Sequence, residues 1–468
     1  MSVSATTAPA TVPPAEPTAE QAAQTMRSKS YVVLLVIVAI IGIIVSLAAW
    51  CFLEGITQIQ KELYTHLPHA LGYKNGPPVW WPLPVLAIAG VLVALAIMRL
   101  PGNGGHIPAK GLAAGSPTKP IDLPGVILAG LAAVGFGLVV GPEAPLIALG
   151  SGGALFMIGL ARRDMPPTAL QVIAAAGSFA ALSFIFDSPL IAAVILIEAS
   201  GIGGARLPLV LLPGLMAAGI GSLVSIGMGS FTGLSSKAYA LSPVVLPQYG
   251  HPTIGQFGWT IVLAVIIAIV TRGIMMGGLR TYGAVTRRLL LFLPAIGLVV
   301  AALAMAFHGI TGKSINEVLF SGQDALAGIV SQASTWTIAA LIWVIVFKGI
   351  AYSLCIGAYR GGPTFPAVFL GAAGGILASH LPGFPLTAAV AVGLGATVTA
   401  VLRLPLSAVV LATLLTSHSG TGDEPLIIVG VVVAYLVTVL LTTRAPATPS
   451  PAPATAAAPG AAAAEHPA

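Results

Sequence analysis

Gly141-Pro142-Glu143-Ala144-Pro145-Leu146-Ile147-Ala148-Leu149-Gly150 is the stretch whose reading decides the rest of the chain. A carboxylate stands between two prolines, with apolar sequence before it (Val134 to Val140) and after it (Leu155 to Ala161). Proline is best tolerated in the first turn of a helix, where its missing N–H has no partner to lose. Pro145 is therefore placed near the start of a helix, with Glu143 just ahead of its N-terminus. An ionisable group at membrane depth is costly and is by default a functional hypothesis. A helix N-terminus supplies free N–H groups and a positive dipole end, which makes it an anion site. A carboxylate tethered there can occupy that site itself and leave when protonated or displaced. The competing reading of the same residues is a capping charge at a surface turn, and the second half of the chain weighs against it.

Composition places the stretch in a bilayer. Of 468 residues, 57% are hydrophobic and only 7% charged, and the mean hydropathy is +0.98. Soluble domains carry about 25% charged residues. The apolar runs are too long and too uniform for barrel strands, so helices are expected. The 55 glycines suit close helix packing, and many of the 37 prolines interrupt apolar segments. Broken helices survive at membrane depth only where protein buries them or where they line a polar cavity. A channel or transporter is favoured on these grounds. The net charge of +6 forms no long basic run, so nucleic acid is not an expected partner. Cys51 and Cys355 lie in apolar stretches and read as packed thiols rather than a disulfide or metal pair.

Residues 1–26 read as a disordered tail, 27–443 as the transmembrane domain and 444–468 as a second disordered, Pro/Ala-rich tail. Arg27 and Lys29 precede the first span, Tyr31 to Phe52, and place the N-terminus in the cytoplasm. That helix continues amphipathically through Lys61, so it is expected to be long and tilted. Pro82 to Met98 spans next and ends at Arg99. Pro101-Gly102-Asn103-Gly104-Gly105-His106-Ile107-Pro108 follows, read either as a loop entering a helix at Ala109 or as a plain surface turn. Leu123 to Val140 leads to Glu143. Arg162, Arg163 and Asp164 mark an aqueous loop, and Asp187-Ser188-Pro189 breaks the next apolar run, whose continuation ends at Glu198. Leu207 to Met228 is apolar, and Gly229 to Gly255, with Lys237 and His251, is the midpoint. The halves are about 27–235 and 255–443. In the second, Phe257 to Val270 and Leu289 to Phe307 span, with Arg287 and Arg288 between them, and Lys313 to Asp324 is a polar loop. Trp336 to Ile356 leads into Tyr359-Arg360-Gly361-Gly362-Pro363-Thr364-Phe365-Pro366. Four further apolar segments run from Ala367 to Leu441, and Arg444 ends the membrane part.

The two halves share a grammar. Pro145, Gly150 and Gly153 align without a gap on Pro366, Gly371 and Gly374, and Pro189-Leu190 parallels Pro405-Leu406. Pro145 and Pro189 are 44 residues apart and Pro366 and Pro405 are 39 apart, close enough for one ancestral unit. Two repeats, each with a broken helix, point to a transporter whose site lies between the halves near the midplane.

These residues resemble a known family, the CLC chloride channels and chloride/proton exchangers. Gly104-Gly105-His106-Ile107-Pro108, Gly141-Pro142-Glu143-Ala144-Pro145 and Gly362-Pro363-Thr364-Phe365-Pro366 stand where that family has Gly-Ser-Gly-Ile-Pro, Gly-(Lys/Arg)-Glu-Gly-Pro and Gly-X-Phe-X-Pro, in the same order. The resemblance covers about residues 30 to 443. It implies an all-α, polytopic fold of two inverted-topology repeats with broken, tilted helices. It also implies transmembrane transport of chloride or another small anion such as fluoride or nitrate, with protons as a candidate second substrate. Glu143 would be the gate. Gly104, Gly105, His106, Ile107, Gly141, Pro142, Ala144, Gly362, Thr364 and Phe365 would surround the anion, and Glu198 is the candidate for a proton path. The implied protein is a multi-pass homodimer of the cytoplasmic membrane with no cofactor or metal, and it is not an enzyme. A remote alternative is an intramembrane enzyme using Glu143, His106 and Glu198.

The departures are specific. Gly105 lacks the family serine's hydroxyl, which His106 and Asn103 stand close enough in sequence to replace. Pro363 lacks an N–H, for which the hydroxyl or amide of Thr364 can substitute. The family's proton-path glutamate falls at Ala199, one residue beyond Glu198, and Tyr435 stands too early to match the tyrosine of the inner anion site.

Overall fold

The computed structural model describes residues 17–112, 117–161, 165–186, 188–234 and 240–442. The described residues are built almost entirely of helices. α1 (Ala19–Met26), α2 (Lys29–Lys61), α3 (Leu67–Ala70), α4 (Pro82–Arg99), α5 (Leu123–Gly135), α6 (Glu143–Ala161), α7 (Pro167–Phe186), α8 (Pro189–Ser200) and α9 (Leu207–Thr232) form the first half. α10 (Ile254–Val285), α11 (Leu289–Thr311), α12 (Gln323–Ser331), α13 (Ile338–Ala358), α14 (Thr364–Ala378), α15 (Leu386–Leu402), α16 (Pro405–Leu415) and α17 (Glu424–Leu441) form the second. Among the described residues nine helices are long and apolar enough to cross a bilayer, which makes this a multi-pass membrane protein. Five apolar helices, α8, α14, α15, α16 and the one ending at Gly135, are too short for that. These are the broken elements. At 33 residues and about 1.5 Å per residue, α2 is about 50 Å long. That exceeds a hydrocarbon core of about 30 Å, and tilt absorbs such an excess.

The repeat is visible in the packing. α6 and α14 each carry proline at the third helical position, Pro145 and Pro366, and α8 and α16 each begin with proline. Five residues beyond the first pair of prolines, Gly150 and Gly371 meet glycines of the following helix. A Cβ on Gly150 would strike the Gly177 carbonyl of α7, and one on Gly371 the Gly393 carbonyl of α15. The halves also dock on each other through small residues, Gly90 of α4 against Leu293 and Pro294 of α11, and Gly297 of α11 against the Leu86 carbonyl. Close backbone approach of this kind is how helices associate where no hydrophobic drive operates. Gly150→Val and Gly371→Val are each expected to abolish folded protein, read as loss of the monodisperse peak on size-exclusion chromatography of the detergent-solubilised protein.

Several expectations change. The reading of residues 1–26 as disordered stops short: Ala19–Met26 is helical, because Thr18 and Gln21 form a reciprocal capping box. No helix begins at Ala109. Pro108–Lys110 makes one tight turn, and Gly111 then adopts φ 94°. α10 runs on to Val285, carrying Arg272 and Arg280 within it. The polar midpoint is no free loop where it is described: Leu241 N–H donates to the Ile185 carbonyl (2.7 Å), Val244 to Leu415 (2.8 Å) and Tyr249 to Ser419 (2.9 Å). Cys355 is buried, whereas Cys51 is exposed on the outer face of α2. Arg162, Arg163, Asp164, Asp187, Lys237, Arg444 and the tail 444–468 lie outside the described residues.

Candidate anion site

The site forms where the two repeats meet. Gly141 N–H donates to the Gly362 carbonyl at 2.8 Å, and Gly362 N–H donates back to Gly141 at 2.5 Å, an antiparallel pair one residue wide. The backbone of one repeat thus runs antiparallel to that of the other where the two meet, just ahead of α6 and α14. Glycine is needed on both sides, because a Cβ at either position would collide with the Glu143 carboxylate.

Glu143 is the first residue of α6 rather than a residue ahead of it, and it is 0% exposed. Its side chain crosses to the other repeat. Oε1 accepts a hydrogen bond from Phe365 N–H at 3.0 Å, one of the free amides at the start of α14. Oε2 is buried with no hydrogen-bond partner. Thr364 lies beside the carboxylate and Pro363 offers no donor. The N-terminus of α14, the kind of helix end that favours anions, is thus occupied by a carboxylate from α6. Tyr352 O–H donates to the Pro363 carbonyl at 2.6 Å and fixes that turn. Phe186 meets Phe365 edge-on, with ring centroids 6.0 Å apart, and walls the site in apolar surface.

The first glycine-rich stretch stands apart from this contact. Gly102, Asn103, Gly104 and Gly105 all have positive φ, which explains the glycine cluster. The stretch is tied to the second repeat by Arg360, which is only 6% exposed. Arg360 Nε donates to the Asn103 carbonyl (3.1 Å), and Nη1 donates to the carbonyls of Ala358 (3.4 Å) and Tyr359 (3.3 Å). Its stem packs where a Cβ on Gly104 would fall. Among the described residues no carboxylate pairs with it. His106 Nε2 bonds the Gly111 carbonyl at 2.7 Å. Burial holds its pKa below the ordinary value, the Gly111 bond opposes this, and the charges of Lys110 and Arg360 add to the lowering. An imidazole whose Nε2 is turned to the Gly111 carbonyl does not stand in for a hydroxyl at Gly105.

Gly141, Glu143, Gly362, Thr364 and Phe365 therefore converge, with Pro142 and Ala144 buried beside them. Gly104, Gly105, His106 and Ile107 lie beyond Arg360. Glu198 is elsewhere: its Oε1 accepts from Leu406 N–H (2.9 Å), and its Oε2 accepts from Ser407 N–H (2.7 Å) and Ser407 O–H (2.5 Å). It caps α16, whose first residue, Pro405, has no N–H of its own. Glu198→Gln is expected to lower thermal stability by about 1–2 kcal/mol through loss of charge-assisted bonds, with proton movement unchanged. A variant of normal stability that has lost proton movement would place Glu198 on a proton path.

Three residues escaped the motif reading. Tyr352, Arg360 and Lys348 each gave the same signal, a polar side chain in or beside the apolar run before Gly361. Lys348 is fully buried in α13, and its Nζ donates to the carbonyls of Glu317 (3.0 Å), Val318 (3.4 Å), Leu319 (3.0 Å) and Phe320 (3.5 Å). It also lies 4.4 Å from the centroid of the Phe369 ring.

Comparison with known proteins agrees with this architecture. The ion-transport protein YfeO of Shigella sonnei is 28% identical over 366 residues, 77% of this chain and 82% of that protein. YfeO of Escherichia coli matches to the same extent. Among solved structures, a slow cyanobacterial Cl−/H+ antiporter shares the fold with a TM-score of 0.70 at 18% identity, covering 87% of this chain and 95% of that one. A CLC-type fluoride/proton antiporter gives 0.65 at 18% identity, with the same coverages. A eukaryotic CLC transporter gives 0.67 at 16% identity, over 88% of this chain and 73% of that one. The family model described as voltage gated chloride channel matches residues 110–439, from just after the first glycine-rich stretch to the end of α17. With that match spanning most of its length, the chain belongs to the voltage gated chloride channel (CLC) family.

Proposed function

We propose that this chain carries chloride across the cytoplasmic membrane as a homodimer, with Glu143 as the gate in each subunit. Anion transport comes with membership of the family. The observation that supports the gate is the hydrogen bond from Phe365 N–H to Glu143 Oε1 across the two repeats. The amide that would hold an anion holds a carboxylate instead. Protonation removes the carboxylate's charge and its claim on that amide, and a chloride that arrives takes its place. A cavity of about 410 Å³, lined by Pro142, Val134, Tyr64, Phe320 and Gln323, adjoins Pro142 and gives the side chain somewhere to swing. Nothing in this sequence of steps converts one substance to another, so the reading is transport without catalysis.

Proton coupling is weak or absent in this reading. Ala199 cannot bear a proton, and both Glu198 oxygens are engaged at α16. A second reading, transport of another small anion such as fluoride, is favoured by two local facts: Gly105 brings no hydroxyl and Pro363 no amide. The test is anion efflux from proteoliposomes with external pH followed at the same time. Chloride efflux without uphill proton movement is expected. Strict proton exchange would overturn the uncoupled reading, and fluoride flux without chloride flux would replace the anion.

A further inference from the structure

A second cavity, of about 530 Å³, opens between α10 and α13 and reaches in to α14 and α15. Val262, Ile266 and Val270 of α10 form its outer wall with Ile342 and Val346 of α13, and all five are exposed. Both helices are long and apolar enough to cross a bilayer, so these side chains face lipid. No lysine, arginine, aspartate or glutamate lines the cavity. Tyr352, Thr397 and His380 do, and each is already engaged: Tyr352 O–H at the Pro363 carbonyl, Thr397 O–H at the Gly393 carbonyl (2.8 Å) and His380 Nδ1 at the Ile376 carbonyl (3.1 Å). An apolar space of this kind stays dry and takes apolar ligands.

The repeat shows that the space is a gap in the packing. Gly374 of α14 is the counterpart of Gly153 of α6. A Cβ on Gly153 would touch Val45 of α2 at 3.7 Å, whereas a Cβ on Gly374 would meet nothing within 4 Å. A helix covers the glycine in the first repeat, and the cavity adjoins it in the second. At membrane depth the medium that can fill such a gap is hydrocarbon, which is as apolar as leucine. At the buried end of the cavity stands Tyr352, 1% exposed. The Pro363 carbonyl that it holds lies two residues before Phe365, whose N–H bonds Glu143.

We propose that one acyl chain of a bilayer phospholipid occupies this cavity, lying along Gly374 against Tyr352, and that it steadies the turn from which Phe365 N–H holds Glu143. The second half of this rests on the reading of Glu143 as the gate. With the chain in place, the Tyr352 ring is packed on both sides and the amide stays aimed at the carboxylate. Without it, the ring gains room and the gate is held less firmly.

The test uses the full chain in proteoliposomes of phosphatidylcholine and phosphatidylglycerol, doped with a phosphatidylcholine that carries a photoactivatable diazirine in one acyl chain. After illumination, peptide mapping by mass spectrometry is expected to find label between Ile342 and Tyr352 and between Leu370 and Leu381. Gly374→Leu puts a side chain into the open space and is expected to lose that label, while label at Val36 and Ile40 on the exposed face of α2 is kept. Ile345→Trp, which fills the same space from α13, is the second variant and should behave alike. Chloride flux is read in straight-chain lipid and in lipid with methyl-branched chains, which are too thick to enter. Wild-type flux should rise about two- to fivefold in the branched lipid, the scale of coupling through packed side chains, and the filled variants and Glu143→Gln should show no such rise. Absence of label from both segments in the wild type, or label that persists in both filled variants, overturns the site. Displacement of the label by free oleate, but not by unlabelled phospholipid, overturns the phospholipid as occupant. An equal lipid response in the wild type and the filled variants overturns the action on Tyr352, and a response that persists in Glu143→Gln overturns its route through the gate. Glu143→Gln flux that still rises with acid would instead overturn the gate reading, with the labelling result untouched.

Discussion

Glu143→Gln will pass anions faster than the wild type at neutral pH, and its flux will no longer depend on pH. The carboxylate is held by a charge-assisted hydrogen bond from Phe365 N–H at 3.0 Å in a site closed to water. Such a bond is worth about 1.5–3 kcal/mol, and about 1.4 kcal/mol is tenfold in rate. Replacing the charged oxygen with a neutral amide should therefore raise flux by about ten- to a hundredfold if release of the side chain limits the wild type. The sign of the pH effect follows. Protonating Glu143 removes the charge that competes with the anion, so wild-type flux rises as pH falls. The glutamine variant starts in that neutral state and has nothing left to titrate. Efflux measured between about pH 3.5 and about pH 8.5, a range that spans the ordinary glutamate value of about 4.3 and the upward shift that burial brings, decides the matter. A variant whose flux still rises with acid would assign the gate to another group.

The second large effect is on folding. Lys348→Met keeps the volume and apolar stem of the side chain but removes the ammonium that binds the carbonyls of Glu317 and Leu319 at 3.0 Å each. Those carbonyls close the turn just ahead of α12 and are then left buried without a donor. Each such loss costs about 1–3 kcal/mol, so the variant should be less stable by about 3 kcal/mol or more. Exchanging a buried charge for an apolar group is often neutral, but here the carbonyls it served remain. The contact with Phe369 of α14 is lost as well, which links the damage to the helix that carries Phe365. A fall in the unfolding midpoint of the detergent-solubilised protein, recovered in part by Lys348→Arg, is expected. An unchanged midpoint would mean that the four carbonyls find other donors.

Most of the architecture could be read from the chain because apolar helices announce themselves by length, and because proline and glycine mark where they break. Pro145, Pro189, Pro366 and Pro405 located the starts of four helices to within two residues. Boundaries failed where side chains, not hydropathy, decide them. The capping box at Thr18 adds a helix that composition hid, and the left-handed Gly111 ends a turn that looked like a helix start. Of the site, Glu143 stood out because a carboxylate between two prolines in apolar sequence marks a helix start, whereas Gly141 and Gly362 came only with the family resemblance, since their contact joins residues far apart in the chain. Arg360 was not legible. Its role depends on reaching the Asn103 carbonyl, 257 residues away in sequence, and no local pattern encodes that contact. The partners of Glu198 were hidden for the same reason: Leu406 and Ser407 come from the other repeat.

One measurement bears most directly on the claim that the Glu143 carboxylate sits in an anion's place. Crystals of Glu143→Gln grown in bromide, with anomalous scattering recorded at the bromine edge, would locate the ion. A bromide peak within hydrogen-bond distance of Phe365 N–H, beside the paired Gly141 and Gly362, with the glutamine side chain turned away, is the expected result. Bromide bound elsewhere along the pathway, with that amide still held by the residue 143 side chain, would contradict it.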